Sequence, residues 1–314
     1  MDVLFQSAHD RVAVRPRRTG SRLLCRLCVL QLLWLGGCGA APEAGDSDAS
    51  AGSQTLEATE VEVEEAPLVL TPVDAGPLIL LITLDTTRAD HLGCYGYDRD
   101  TSPHLDELAS QSVVYERAIA PGTWTMTSHA SLFTGKFVSS HGVRFHSAGN
   151  MRLHSYLRAF TLRPNEHTLA SILGSAGFAT AGIVGGPWMK ARFGLNQGFE
   201  HYDERNIIAD HGRDAADITS QALRWLVRPE PRPRFLFLNY FDPHSPHQPP
   251  PEFAEAFTPP GETIPVEDQR TDQQRIDMYD AEILYMDSQI GRLLDGLKTL
   301  EIYDDAWIIV TADH

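Results

Sequence analysis

The sequence predicts an α/β fold: a mostly parallel sheet with helices on both faces. Continuous apolar runs alternate with segments of helical periodicity from Pro77 onward, the order that produces strand–helix–strand crossovers. Polar residues follow several of those runs, at Asp85, at Asp242-Pro243-His244 and at Asp313-His314. In such sheets ligands gather beyond the carboxyl ends of the strands, so one sheet edge is expected to carry the chemistry.

The amino-terminal 38 residues stand apart from that pattern. Arg11, Arg15, Arg17, Arg18, Arg22 and Arg26 precede the apolar stretch Leu27 to Leu35, followed by Gly36-Gly37-Cys38. A positive flank, a short apolar core and small residues before a cleavage point describe a secretory signal, and the core is too short for a stable membrane span. The ending resembles a bacterial lipobox, which makes Cys38 the expected lipidation site and places the mature protein outside the cytoplasm on a membrane anchor. An ordinary signal with an incidental cysteine is the alternative. Residues 39–76 read as an acidic linker, with Glu43, Asp46, Asp48, Glu57, Glu60, Glu62, Glu64 and Glu65 among small residues and no Lys or Arg. One-sign charge and low hydrophobicity keep such a segment solvated.

Residues 77–314 form the expected domain. Leu78 to Leu84 is an unbroken apolar run, as in a strand buried on both faces. A helix is predicted at Ser102 to Ala109, with Ser at the cap and Pro103 in the first turn. Another starts near Thr125 and runs to Gly135. Thr168 to Ala176 reads as helix, Gly177 as its stop, and Phe178 to Val184 as strand. Ile218 to Val227 reads as helix, Phe235 to Leu238 as buried strand, about Gln273 to Leu300 as a long amphipathic helix, and Ala306 to Thr311 as the last strand.

Composition narrows the function. The 314 residues are 42% hydrophobic and carry a formal net charge of −16. No basic stripe interrupts the domain, which excludes nucleic acid as the expected partner. Cys25 and Cys28 fall in the signal and only Cys94 remains in the domain, so there is no intramolecular disulfide framework and no thiolate metal cage.

On residue chemistry alone, Asp85, Asp313 and His314 form a candidate site for one divalent metal. Two carboxylates and an imidazole suit Mn²⁺ or Ca²⁺, with Zn²⁺ also possible. Any one of these aspartates could instead cap a helix. Thr125 is the candidate nucleophile, because it lies where a Pro121-Gly122-Thr123-Trp124 loop enters a helix whose free amides favour an anion. A plain N-cap is the other reading of Thr125.

Several motifs resemble those of the sulfatase family in the alkaline phosphatase superfamily. They are Leu84-Asp85-Thr86-Thr87-Arg88-Ala89-Asp90-His91-Leu92-Gly93, Thr101-Ser102-Pro103-His104-Leu105, Ser128-His129-Ala130-Ser131-Leu132-Phe133-Thr134-Gly135, Tyr240-Phe241-Asp242-Pro243-His244, Tyr279-Asp280-Ala281-Glu282 and Thr311-Ala312-Asp313-His314. The resemblance implies a sulfatase-like catalytic domain with Asp85, Asp313 and His314 as metal ligands and Thr125 at the nucleophile position. It implies that His244 contacts the oxygens of the transferred group or protonates the leaving group. His129 stands where sulfatases place an arginine that supports the nucleophile; a helix-surface histidine is the alternative. Thr86 stands where many sulfatases supply a further carboxylate, and is not expected to be a ligand.

Two departures shape the expected function. The formylglycine segment of sulfatases is replaced by Thr125-Met126-Thr127-Ser128-His129, and Thr cannot be oxidised to that aldehyde. Relatives with Thr here resemble phosphoethanolamine and phosphoglycerol transferases, so phosphate or phosphonate esters are expected ahead of sulfate esters. An authentic sulfuric ester hydrolase and a non-catalytic surface lipoprotein are the alternatives. The sequence also stops at His314, inside the second metal motif, which reads as a fragment or truncated product. The substrate, a small-molecule, glycan or lipid ester, would be selected by loops such as 146–165 and 257–271.

Overall fold

The computed structural model describes residues 3–6, 68–153, 158–208 and 211–314. Cys38, the arginine-flanked apolar stretch and the acidic tract lie outside these residues. The expected linker ends earlier than position 76. Leu68, Leu70, Val73 and Ala75 pack against the core, and Gly76 N donates to Glu230 O at 3.1 Å.

A seven-stranded sheet forms the centre. Its strands are β1 (Val3–Gln6), β2 (Leu78–Leu84), β3 (Val113–Val114), β7 (Ala179–Val184), β8 (His201–Asp203), β9 (Arg234–Tyr240) and β10 (Trp307–Ala312). The spatial order is β3-β1-β10-β2-β9-β7-β8. From β10 to β8 every pairing is parallel, as predicted, whereas β1 pairs antiparallel with both β10 and β3. β1 falls in the segment read from sequence as an export signal. A small sheet joins β4 (Arg144–Phe145), just before the predicted loop 146–165, to β5 (Met151–Arg152) and β6 (Arg158–Phe160) within it.

The helices are α1 (Pro103–Ser110), α2 (Thr125–Thr134), α3 (Val138–His141), α4 (Leu169–Ser175), α5 (Ala215–Leu226), α6 (Pro251–Phe257) and α7 (Asp272–Thr299). Alternation along the buried strands divides them between two faces. Leu78, Leu80, Ile82 and Leu84 of β2 join Leu236, Leu238 and Tyr240 of β9 in a core covered by α1, α5 and α7. Leu81 joins Phe235 and Phe237 in a second core with Met126, Ala130 and Phe133 of α2. Each such fully buried Leu or Phe contributes about 1.5–3 kcal/mol. The period of two therefore also points Thr83 and Asn239 toward α2, and this orientation matters at the site.

Ser102 precedes α1 as predicted but does not cap it. Asp287 of α7 does so from across the core, accepting from His104 N at 2.9 Å and Leu105 N at 2.8 Å. Ser102 Oγ instead accepts from Gly93 N. Helix α2 ends where expected, at Gly135 with φ +64°, a conformation that a residue with Cβ adopts at a cost.

Candidate active site

Register alone brings the acidic residues together. Ala312 pairs with Leu84, and Leu84 with Tyr240, so Asp313 and Asp85 follow one step beyond neighbouring strand ends. The donor atoms of Asp85, Asp313 and His314 all lie within 4.8 Å of one another. Asp85 and Asp313 are 0% and 1% exposed.

Each carboxylate is held by one oxygen and free at the other. Asp313 Oδ1 accepts from Thr86 N at 3.0 Å and His314 N at 2.9 Å. Asp85 Oδ2 is 3.4 Å from the Thr125 hydroxyl. Asp85 Oδ1 and Asp313 Oδ2 are buried without a hydrogen-bond partner. Two orphaned anionic oxygens beside an imidazole would be costly as they stand and suit a hard divalent cation. The residues present therefore fit a metal ion. Burial, then the charge of Asp313, pushes Asp85 well above the usual carboxylate range, and burial also raises Asp313. Thr86, next to Asp85 in sequence, adopts φ +51° and its Oγ1 is buried without a hydrogen-bond partner.

Thr125 opens α2 and is 2% exposed. The N-cap is Trp124 and no side chain caps the helix, so the plain-cap reading of Thr125 fails: its hydroxyl faces Asp85. The first amides of α2 lack intrahelical acceptors by construction, and the helix dipole favours negative charge there. Ser128, one turn on, ties the helix to the last strand through its Oγ to Asp313 O at 2.5 Å.

His129 is fully buried, which corrects the helix-surface alternative. Its Nδ1 lies 2.8 Å from Thr125 O and its Nε2 2.9 Å from Thr83 Oγ1. A carbonyl oxygen only accepts, so Nδ1 carries the proton and Nε2 accepts from Thr83. Burial lowers its pKa, consistent with a neutral ring. Asn239, not anticipated from the sequence, donates from Nδ2 to Thr83 Oγ1 at 3.3 Å and accepts from Gly186 N. A polar residue at the end of the buried run Phe235-Leu236-Phe237-Leu238 was its signal. Together, Thr83, His129 and Asn239 form a buried polar layer between the sheet and α2.

His244 follows β9. Its ring stacks on Phe241 at 4.4 Å, and its Nδ1 is 2.6 Å from Ser245 O. That contact places a proton on Nδ1 and leaves Nε2 as the nitrogen available to a ligand. Burial, then the nearby charge of His244, lowers the pKa of His314. His244 lines a cleft of about 390 Å³ together with Asp214, Asp242, Glu282 and Tyr285. Burial raises Asp242 to about 7, and burial with the charge of Asp242 raises Glu282 to about 8. Asp242 was expected at this edge from sequence, whereas Glu282 was given no role; it sits on the buried stripe of α7, where a charge is out of pattern.

Fold and site together define a protein of the alkaline-phosphatase-like α/β type with a candidate divalent metal site beyond its strand ends. The chain belongs to the sulfatase family, whose family model matches residues 77–314. It is 24% identical over 270 residues to human N-sulphoglucosamine sulphohydrolase, covering 79% of this chain and 52% of that protein. It is also 24% identical to human iduronate 2-sulfatase, over 75% of this chain and 54% of the relative. The chain thus spans about half the length of the curated relatives it matches. Among solved structures, the phosphonate monoester hydrolase of Agrobacterium radiobacter shares the fold at TM-score 0.58 and 19% identity, over 76% of this chain and 62% of that one. A protein solved with its substrate D-glucosamine-2-N,6-O-disulfate shares it at TM-score 0.60 and 17% identity, over 76% and 65%.

Proposed function

We propose that the chain is the metal-binding, nucleophile-bearing part of a hydrolase or transferase acting on phosphate or phosphonate esters, with Thr125 as nucleophile. The observation that carries this reading is the Thr125 hydroxyl 3.4 Å from Asp85 Oδ2, beside the orphaned oxygens of Asp85 and Asp313. Asp85, Asp313 and His314 would hold one Ca²⁺ or Mn²⁺, which supplies Lewis-acid polarisation of the ester oxygens.

The chain's own residues account for the remaining chemistry. Thr125 Oγ1 forms a bond to phosphorus as the ester oxygen departs, and the hydroxyl proton passes toward Asp85. His244, held through Nδ1 by Ser245 O, gives a proton from Nε2 to the leaving alkoxide. Water or an acceptor alcohol then attacks phosphorus as its proton passes to His244 Nε2, and Thr125 departs taking back the proton held at Asp85. His129 and Thr83 fix the first turn of α2, so the hydroxyl is pre-positioned. A sulfated threonine lacks the collapse to an aldehyde that releases sulfate from formylglycine, which is why phosphorus is favoured.

A second reading, sulfuric ester hydrolysis with Thr125 as bystander, is favoured by the curated relatives named as sulfatases. Turnover of a phosphonate monoester and an aryl sulfate with Mn²⁺, in the parent, Thr125→Ser and Thr125→Ala, separates the two. Phosphonate turnover that drops in Ser and disappears in Ala supports the first reading. Sulfate turnover indifferent to Thr125→Ala supports the second, and no turnover of either ester leaves the retained fold as a binding surface. The arginine-flanked stretch ending in Cys38 supports export and lipid anchoring, tested by palmitate labelling that is lost in Cys38→Ala.

A further inference from the structure

At the opposite edge of the sheet, where β9 begins, Arg234 is only 1% exposed. Its Nη1 donates to Leu226 O at 3.1 Å, while Nε and Nη2 have no hydrogen-bond partner. These two nitrogens form the edge of the guanidinium that grips two oxygens of one anion side by side. A single carbonyl contact does not call for a guanidinium, and a buried cation with two idle donors is costly to keep. The donor edge of Arg234 therefore points to a ligand.

The surroundings carry the right charge. Arg234 lines a cavity of about 310 Å³ with Arg228, Arg232, His201, Glu200 and Glu230. Both glutamates are already engaged by Arg232: Glu230 at 2.8 and 3.0 Å, Glu200 at 2.9 and 3.0 Å. Three arginines against two glutamates leave one net positive charge; Glu230 offsets part of the charge of Arg234 through space but hydrogen-bonds Arg232 rather than its idle donors. A carboxylate would spend both its oxygens on the Arg234 fork. A tetrahedral ion has further oxygens to offer Arg228 and His201 across the same cavity.

We propose that this cavity binds a small tetrahedral oxyanion, sulfate or phosphate, gripped through Nε and Nη2 of Arg234. The site lies at the amino-terminal ends of the strands, away from Asp85, and stands whether or not the proposed esterase chemistry holds.

Thermal unfolding of the full chain in EDTA tests it, with sulfate, phosphate or acetate titrated at ionic strength held constant by sodium chloride. EDTA leaves the two aspartates at the other edge unscreened, so anions are not drawn there. Sulfate and phosphate are expected to raise the midpoint saturably, because at a hundredfold excess over Kd they shift the folding equilibrium about 100-fold. Acetate is expected to do less. Arg234→Met should keep or raise the midpoint without anion, since it removes an unpaired buried charge, and lose the saturable shift; Arg234→Lys keeps the charge without the fork and should lose most of it. An equal shift in Arg234→Met, or none in the parent, overturns the site; an equal shift with acetate overturns the tetrahedral assignment. Should both variants fail to fold, crystals of the parent soaked in selenate decide: an anomalous selenium peak at Arg234 supports the site, and its absence rules it out.

Discussion

Replacing Asp85 with Asn should leave the metal-free protein at least as stable as the parent, although Asp85 is completely buried. The donor atoms of Asp85 and Asp313 lie within 4.8 Å, and at an effective dielectric near 20 two unit charges at that distance repel by about 3 kcal/mol. The pair relieves part of this by holding a proton, since burial and Asp313 raise Asp85, so the gain on substitution falls between zero and that figure. With metal present the order reverses. A cation at a hundred times its Kd stabilises the parent by about 2.7 kcal/mol, roughly 5–10 °C for a domain of this size, whereas the Asn variant has lost an anionic ligand and should gain little. Calorimetry of both proteins at pH 8, in EDTA and then in excess Mn²⁺ or Ca²⁺, reads all four states. The reasoning fails if the variant is more than about 2 kcal/mol less stable in EDTA, the ordinary penalty for disturbing a buried polar group. It fails equally if the metal shifts both proteins alike.

Other consequences follow from single contacts. Gly212 has φ +67°, and a Cβ there would lie 2.0 Å from the Phe241 ring on which His244 stacks; Gly212→Ala should lower kcat on the accepted ester by about 10–100-fold with little effect on metal affinity measured by titration calorimetry. His141 accepts from Val143 N at Nδ1 and meets Ser131 Oγ at Nε2, and burial lowers its pKa below the usual 6.5. The neutral ring's stabilisation is therefore present above pH 6.5 and lost as pH falls, so the deficit of His141→Leu, about 1–3 kcal/mol at pH 7.5, should shrink by pH 5 in urea denaturation. Burial acts to raise Asp203, but Arg205 and Arg213 outweigh it and hold the carboxyl below its ordinary range. Asp203→Asn leaves the buried Arg213 with Asp217 alone and should cost about 3 kcal/mol at pH 7, a deficit that fades as acid protonates the parent.

The sheet was legible because its strands are buried on both faces and therefore read as unbroken apolar runs. The same logic placed Asp85, Asp313 and His314 together, since a polar residue directly after such a run has to sit at the sheet edge. Short pieces escaped. β8 is three residues long and the strands of the small sheet two or three, too short for alternation to register. Long-range capping also escaped: Ser102 has the right identity and position, but Asp287, over 180 residues away, supplies the acceptor. His129 could be read as surface or buried because α2 has no polar face. Nearly all its residues are buried, so its periodicity says nothing about which side meets the sheet. Only the strand register, which turns Thr83 toward α2, shows that His129 has a buried partner.

The central claim is that Thr125 is the nucleophile, and intact-mass spectrometry of protein quenched during turnover of a phosphonate or phosphate ester with Mn²⁺ tests it most directly. The account predicts an added phosphoryl or phosphonyl mass, mapped to Thr125 by peptide fragmentation and absent in Thr125→Ala. Steady ester turnover with no adduct on the parent, or undiminished turnover by Thr125→Ala, would contradict it.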